Sequence, residues 1–275
     1  MAEPSGAAGA PVPGGGDAAP LAEQVVAKPA RPKQEKLRPS LFWPLGAVLV
    51  PFVRLGSRLR IRNGDRLPAT GPYILTPNHH SNVDPVVLAV TVWRLGRAPR
   101  FLAKSSLFRV PVLGQALAGT GQIPVERAGS AKLGVPLSAA KRLIREGQGV
   151  IVYPEGTLTR DPDLWPMRGK TGAARLALEL GIPVVPVAHW GTQGMLPRYS
   201  KRLRVVPRSR IDVLFGEPVD LSPWAGRAAD PQALTEATAR IMAAITGLVE
   251  ELRGETAPAE RWDPRAHGQS ESGRL

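Results

Sequence analysis

The sequence predicts an α/β fold: a single layered domain with a largely parallel or mixed sheet flanked by helices, preceded by an N-terminal membrane-associated helical segment. Three observations lead there. Short β-like runs alternate with helical patterns between residues 57 and 254, no internal repeat interrupts them, and 275 residues suffice for one large core.

Taken in order, residues 1–38 are rich in Ala, Pro and Gly and read as a disordered leader. They lack the charged stretch and apolar run of a secretory signal. Residues 39–56 are apolar, but the run is short and carries Pro44, Gly46 and Pro51. A spanning helix needs about 20 apolar residues. The segment is therefore expected to lie in or dip into one leaflet, with Arg38, Arg54, Arg58 and Arg60 meeting anionic headgroups and Phe42 and Trp43 as interfacial anchors. A helix packed on its own domain is the alternative.

Residues 57–254 hold the main domain. Strands are expected at 59–62, 73–76, 100–103, 122–126, 149–153, 183–188, 203–206 and 211–215. Helices are expected at 85–94, 107–118, 132–146 and 169–180. A last helix covers about 231–252, where Leu234, Ile241, Ile245, Leu248 and Leu252 form one apolar stripe that reads as core packing. Residues 255–275 read as a disordered tail.

There is no cysteine, which excludes disulfides, thiolate metal sites and a cysteine nucleophile. The net charge of +13 lies in the body: residues 39–254 carry 28 Lys/Arg against 15 Asp/Glu, while the tails nearly cancel. Such a body suits an anionic partner, whether nucleic acid, phospholipid headgroups or a phosphorylated substrate. Six basic residues between Arg198 and Arg210, with no acid among them, fit a headgroup-facing surface or a merely solvated strand pair. Few aromatics and no reading motif argue against nucleic acid.

Two of the four histidines stand in Pro77-Asn78-His79-His80-Ser81-Asn82-Val83-Asp84-Pro85. In a continuous helix, His79 and Asp84 would point about 140° apart. The composition instead indicates a loop leading into a helix that starts near Asp84-Pro85, with the aspartate as cap. A loop can fold the carboxylate back onto the imidazole, so that Asp84 fixes the tautomer while His79 takes a proton from a hydroxyl. A structural cap beside incidental histidines explains the spacing equally well. Ser81 lacks the turn that exposes a nucleophile. Adjacent histidines point apart on most backbones, which argues against a metal held by His79, His80 and Asp84. His80 reads as a supporting or surface residue and His189 as structural.

Four ordered blocks carry a family resemblance. They are Asn78-His79 with Asp84; Lys104 to Gly114 continuing through Gly121 to Arg127; Tyr153-Pro154-Glu155-Gly156-Thr157 with Lys170 and Gly172 downstream; and Val184-Val185-Pro186-Val187. Together they resemble the glycerolipid acyltransferases, the family of the bacterial 1-acylglycerol-3-phosphate acyltransferases. The resemblance implies an enzyme working at the cytoplasmic face of the cell membrane, as a peripheral or monotopic protein. It would move an acyl group from acyl-CoA or acyl carrier protein to 1-acylglycerol 3-phosphate, giving phosphatidic acid. His79 would be the general base and Asp84 its orienter. No metal or resident cofactor is implied, and no covalent acyl-enzyme. Arg127 would bind the acceptor phosphate, with help from Lys104, since a guanidinium grips phosphate bidentately. Glu155, Gly156 and Thr157 would shape the acceptor pocket at a strand end. The third block commonly continues with arginine where this sequence has Leu158. Arg160, Arg168 or Lys170 would then supply the charge, and glycerol 3-phosphate or another lysolipid stays open as acceptor. A catalytically silent lipid-binding protein is the alternative from another class.

Overall fold

The computed structural model describes residues 40–125, 138, 140, 141 and 144–269. The leader expected at 1–38, Arg127 and most of the helix expected at 132–146 lie outside the described residues.

Five strands form one sheet in the order β1-β7-β6-β2-β5, comprising β1 (Ser57–Arg62), β2 (Tyr73–Pro77), β5 (Gly149–Ile151), β6 (Val184–Trp190) and β7 (Ser209–Phe215). The β1/β7, β2/β6 and β2/β5 pairs are parallel and β6/β7 is antiparallel, so the sheet is mixed. A small parallel pair, β3 (Leu102–Lys104) and β4 (Ile123–Val125), joins the β5 edge through a bridge from Phe101 to Ile151.

Strand periodicity divides the core. Ile74, Val150 and Val184 point to one face and meet Ala173 and Leu176 of α4 (Gly172–Leu180) and Leu234, Ile241 and Ile245 of α6 (Pro231–Arg253). Leu75, Ile151 and Val185 point to the other and meet Val53 of α1 (Phe42–Gly56) and Val87 and Leu88 of α2 (Asp84–Arg94). The result is helices on both faces of a sheet. The long α6 starts as its sequence dictates: Asp230 accepts from the Gln232 and Ala233 amides, Pro231 follows, and Gly254 ends the helix at φ +68°.

Four expectations need correction. Residues 203–206 form no strand; they lie in an irregular, largely exposed stretch, because β1 and β6 already occupy both edges of β7. The helix expected at 107–118 is split into a 3₁₀ turn (Ser105–Arg109) and α3 (Leu113–Gly119), since Pro111 ends the first piece and Val112 takes φ +64°. Residues 255–269 of the tail are packed on the domain. Trp262 stacks on His267 and accepts, through its carbonyl, the Arg168 amide, while the Arg168 guanidinium binds Asp263 at 3.1 Å. These aromatic and ionic contacts outweigh a composition that read as disorder. Finally, Asp84 begins α2 but caps nothing inside it, because its carboxylate turns back onto the loop that precedes it.

α1 packs along one side on its own domain, which was the alternative reading of residues 39–56, and this corrects the expectation of Phe42 as an interfacial anchor. Phe42 and Val53 are buried, and Phe42 stacks on Trp93 of α2 at 5.8 Å. The opposite stripe, Pro44, Val48, Pro51 and Leu55, is exposed, as is Trp43. The helix is thus apolar all round yet covered on one side only. No helix among the described residues is long and apolar enough to cross a membrane.

Candidate active site

Strands β2, β5 and β6 are parallel, so their C-terminal ends gather at one end of the sheet, where open α/β sheets place their ligands. The β2 loop brings Asn78 to Asp84, the β5 loop brings Tyr153 to Arg160, and the β6 end brings His189 and the short α5 (Thr192–Met195).

His79 and Asp84 meet. His79 Nδ1 lies 2.9 Å from Asp84 Oδ2. The same oxygen accepts the His80 and Ser81 amides at 2.8 and 2.7 Å, which is how the loop folds the carboxylate back. Oδ1 accepts the Thr192 hydroxyl at 2.6 Å. Burial by itself raises the Asp84 pKa; the imidazoles of His189, His80 and His79, with the donors just named, hold the carboxyl well below the usual carboxylate range. An ionised Asp84 can only accept, so His79 carries its proton on Nδ1 and presents a bare Nε2. The Tyr153 ring packs against the imidazole, 4.2 Å between centroids.

The third block clamps His79 from both sides of its backbone. Glu155 Oε1 accepts the His79 amide at 2.9 Å, and the His79 carbonyl accepts the Thr159 amide at 2.6 Å. Glu155 Oε2 accepts the Met167 amide. Burial pushes the Glu155 carboxyl up to about 8, against the pull of the two amide donors. The Thr159 and Asp161 carbonyls are held in turn by Arg198 at 2.7 and 2.6 Å.

A cavity of about 780 Å³ opens beside the pair. His79, Tyr153, Glu155 and Gly156 line its inner part; Phe101, Leu102, Leu117 and Val152 add apolar wall. Lys104, Arg168, Lys170, Arg175 and Arg265 supply cations, with Asp263 among them. Gly156 has φ +70°, a backbone conformation that favours glycine.

Of the sequence-derived candidates, His79, Lys104, Glu155, Gly156 and Lys170 come together around this cavity. Thr157 and Arg160 are buried and do not line it, so Arg160 does not replace the missing arginine of the third block. Leu158, too, points into the core. Of the six-residue basic run, Arg198 serves the loop above, Arg208 binds the Ser57 carbonyl and Arg210 pairs with Asp212. Lys201, Arg202 and Arg204 are exposed.

Sequence reasoning missed Tyr153 and Thr192 as parts of the site and underrated His80 and His189. Both histidines are fully buried. The available signal was position: Tyr153 opens the third block and Thr192 follows the fourth. His80, Asp84 and His189 offer ligand atoms within 4.8 Å of one another, but both His80 nitrogens and both Asp84 oxygens are taken by hydrogen bonds. The arrangement suits a hydrogen-bonded network better than a metal.

Residues 58–190 match the acyltransferase family model. Among curated relatives, a chloroplastic 1-acyl-sn-glycerol-3-phosphate acyltransferase of Brassica napus is 29% identical over 58% of this chain and 44% of its own. A probable 1-acyl-sn-glycerol-3-phosphate acyltransferase of Mycoplasma genitalium is 30% identical over 51% and 52%. The chain spans about half the length of these relatives. The crystal structure of the 1-acyl-sn-glycerophosphate acyltransferase of Thermotoga maritima shares the fold, with a TM-score of 0.56 and 20% identity over 81% of this chain and 86% of that one.

Proposed function

We propose that this protein is a 1-acylglycerol-3-phosphate acyltransferase acting at a membrane surface. The observation that carries the reading is His79, 2.9 Å from Asp84, lining a cavity with apolar walls and a cationic lining. His79 Nε2 removes the proton of the acceptor hydroxyl as its oxygen attacks the thioester carbonyl. The tetrahedral intermediate collapses, the carbon–sulfur bond breaks, and the proton passes from His79 to the departing thiolate. Asp84 holds the tautomer and stabilises the imidazolium between the two transfers. No residue is acylated, which agrees with a chain that has no cysteine and a Ser81 whose hydroxyl donates to the Leu196 carbonyl.

Lys104 and Lys170 line the cavity and would meet the acceptor phosphate, with Arg127 added by family resemblance. Acyl-CoA or acyl carrier protein is the donor, and no resident cofactor takes part. The exposed stripe of α1 would lie against the cytoplasmic face of the membrane. Trp43 fits the headgroup region, and the +13 charge favours anionic lipid.

With Leu158 buried and Arg160 outside the cavity, the acceptor is decided by the remaining cations. The purified protein should be given palmitoyl-CoA with lysophosphatidic acid and glycerol 3-phosphate in parallel. Faster turnover of the lysolipid is expected. Preference for glycerol 3-phosphate would overturn the assignment of acceptor and leave the chemistry standing.

A further inference from the structure

Behind the pair lies a second tier of buried polar groups whose proton positions follow from the donors available. Asp84 is ionised and only accepts, so the Thr192 hydroxyl, 2.6 Å from Oδ1, must spend its single proton on that oxygen. Thr192 Oγ1 also lies 2.7 Å from His80 Nε2. Having no proton left, it must accept there, so His80 carries its hydrogen on Nε2. His80 Nδ1 is then bare, and it sits 3.1 Å from the Asn78 amide nitrogen, a donor. The Asn78 side chain has no freedom to flip. Its nitrogen also reaches the His189 carbonyl at 3.1 Å, and its oxygen accepts the His189 amide at 2.9 Å. His189 Nε2 lies 2.9 Å from the Asn78 carbonyl, so it too carries a hydrogen. This directed chain runs from Asn78 through His80 and Thr192 into the catalytic carboxylate. Burial lowers the His80 pKa to about 4, despite the attraction of Asp84, so the ring stays neutral with a single hydrogen.

We propose that Thr192 is a positioning residue for the His79–Asp84 pair, transmitting the fixed orientation of His80 to the carboxylate. The Thr192 donor holds Oδ1 in place. Oδ2 is thereby kept on His79 Nδ1 and on the two loop amides. Without the hydroxyl, the buried Oδ1 would lose its donor, and the carboxylate would turn towards others. Small losses of aim at a reacting group cost rate steeply. Thr192 enters from the end of β6, 108 residues after Asp84, so this restraint comes from a different strand than the one carrying the pair.

The proposal rests on the acyl-transfer reading, and the test separates the two. Thr192→Val keeps shape and removes the donor. Its kcat is expected to fall by about tenfold or more with both KM values within about twofold, the mark of an interaction realised in the transition state. Thr192→Ser, which restores the donor, should recover most of the rate. His80→Gln keeps one donor and one acceptor and should be tolerated, whereas His80→Leu should resemble Thr192→Val. Because both act through one path, the Thr192→Val/His80→Leu double variant should be no slower than Thr192→Val alone. An unchanged kcat in Thr192→Val, or multiplying losses in the double variant, would overturn the proposal. If Thr192→Val does not fold, Thr192→Ser and the His80 pair carry the same comparison.

A measurement independent of turnover is the nitrogen-15 spectrum of histidine-labelled protein at pH 7. His80 is expected to be protonated at Nε2 and bare at Nδ1, and to lose that preference when Thr192 becomes valine. The opposite tautomer or an imidazolium in the native protein would overturn the chain of hydrogen bonds. Absence of acyl transfer from native protein to any glycerol-phosphate acceptor would instead sink the acyl-transfer reading, with the tautomer still measured.

Discussion

At the scale of single residues, the site concentrates buried ionisable groups, and pH dependence follows. His80 and His189 are held neutral by burial, His80 down to about 4 from an ordinary 6.5. The unfolded chain therefore binds more protons than the native one between these values, and stability is lost as pH falls from about 6.5 towards 4. For His80 alone the loss is on the order of 3 kcal/mol. Urea melts of native protein and His80→Gln at pH 7 and pH 4.5 are expected to show it as the difference between the two, because Glu155 acts in the opposite direction over the same window. Asp84 adds to acid lability lower still, because its carboxyl is ionised in the native state below the usual range. Glu155 works in the opposite direction. Its pKa is raised to about 8, so stability present at low pH is lost as pH rises through that value. Glu155→Gln should remove this loss between about pH 4.5 and 8, with the His79 clamp weakened by one acceptor. A profile over that range that stays unchanged in the variant would show that Glu155 is ionised at neutral pH. None of these environments is written in the sequence. The His-to-Asp spacing allowed both a helix cap and a carboxylate folded back onto the imidazole, and the structure shows the second.

At the scale of elements, strands and long helices were legible because their periodicity is strong. The residues 231–252 expected for the last helix are helical over 231–253, and the main-sheet strands other than 203–206 appear within a few residues of expectation. Misreadings came where local pattern and tertiary demand diverged. Leu203 and Val205 alternating with Arg204 imitated a strand at 203–206, and Pro111 broke a helix that its flanking leucines suggested. α1 was ambiguous for a physical reason, since it is apolar on every side and half covered. This gives a test at its own scale. Val48→Glu and Leu55→Glu place charge on the exposed stripe without touching Val53 or Phe42. Binding to phosphatidylglycerol-containing vesicles should drop several-fold while the melting temperature holds. Unchanged sedimentation with vesicles would move the docking surface elsewhere, the exposed Lys201–Arg204 stretch being the next place to look.

At the scale of the whole molecule, the sheet gathers three strand ends around one cavity, and the chain returns at its C-terminus to help wall it. Asp263, Pro264 and Arg265 line the cavity, and Asp263 holds Arg168 across it. Composition hid this, since Ala, Pro and Glu around residues 255–260 read as disorder while Trp262 supplies the anchor. Ending the chain after Gly254 is expected to leave the fold intact and to raise KM for the substrates several-fold. Equal KM values with and without the segment would show it to be a bystander. The central claim, that His79 and Asp84 transfer an acyl group as a base and its orienter, is tested most directly by comparing native protein with His79→Ala in a palmitoyl-CoA and lysophosphatidic acid assay. Phosphatidic acid formation by native protein and its loss by about a thousandfold or more in a folded variant is the predicted result, in keeping with removal of a general base together with the geometry it serves. Comparable rates from the two proteins would contradict the account.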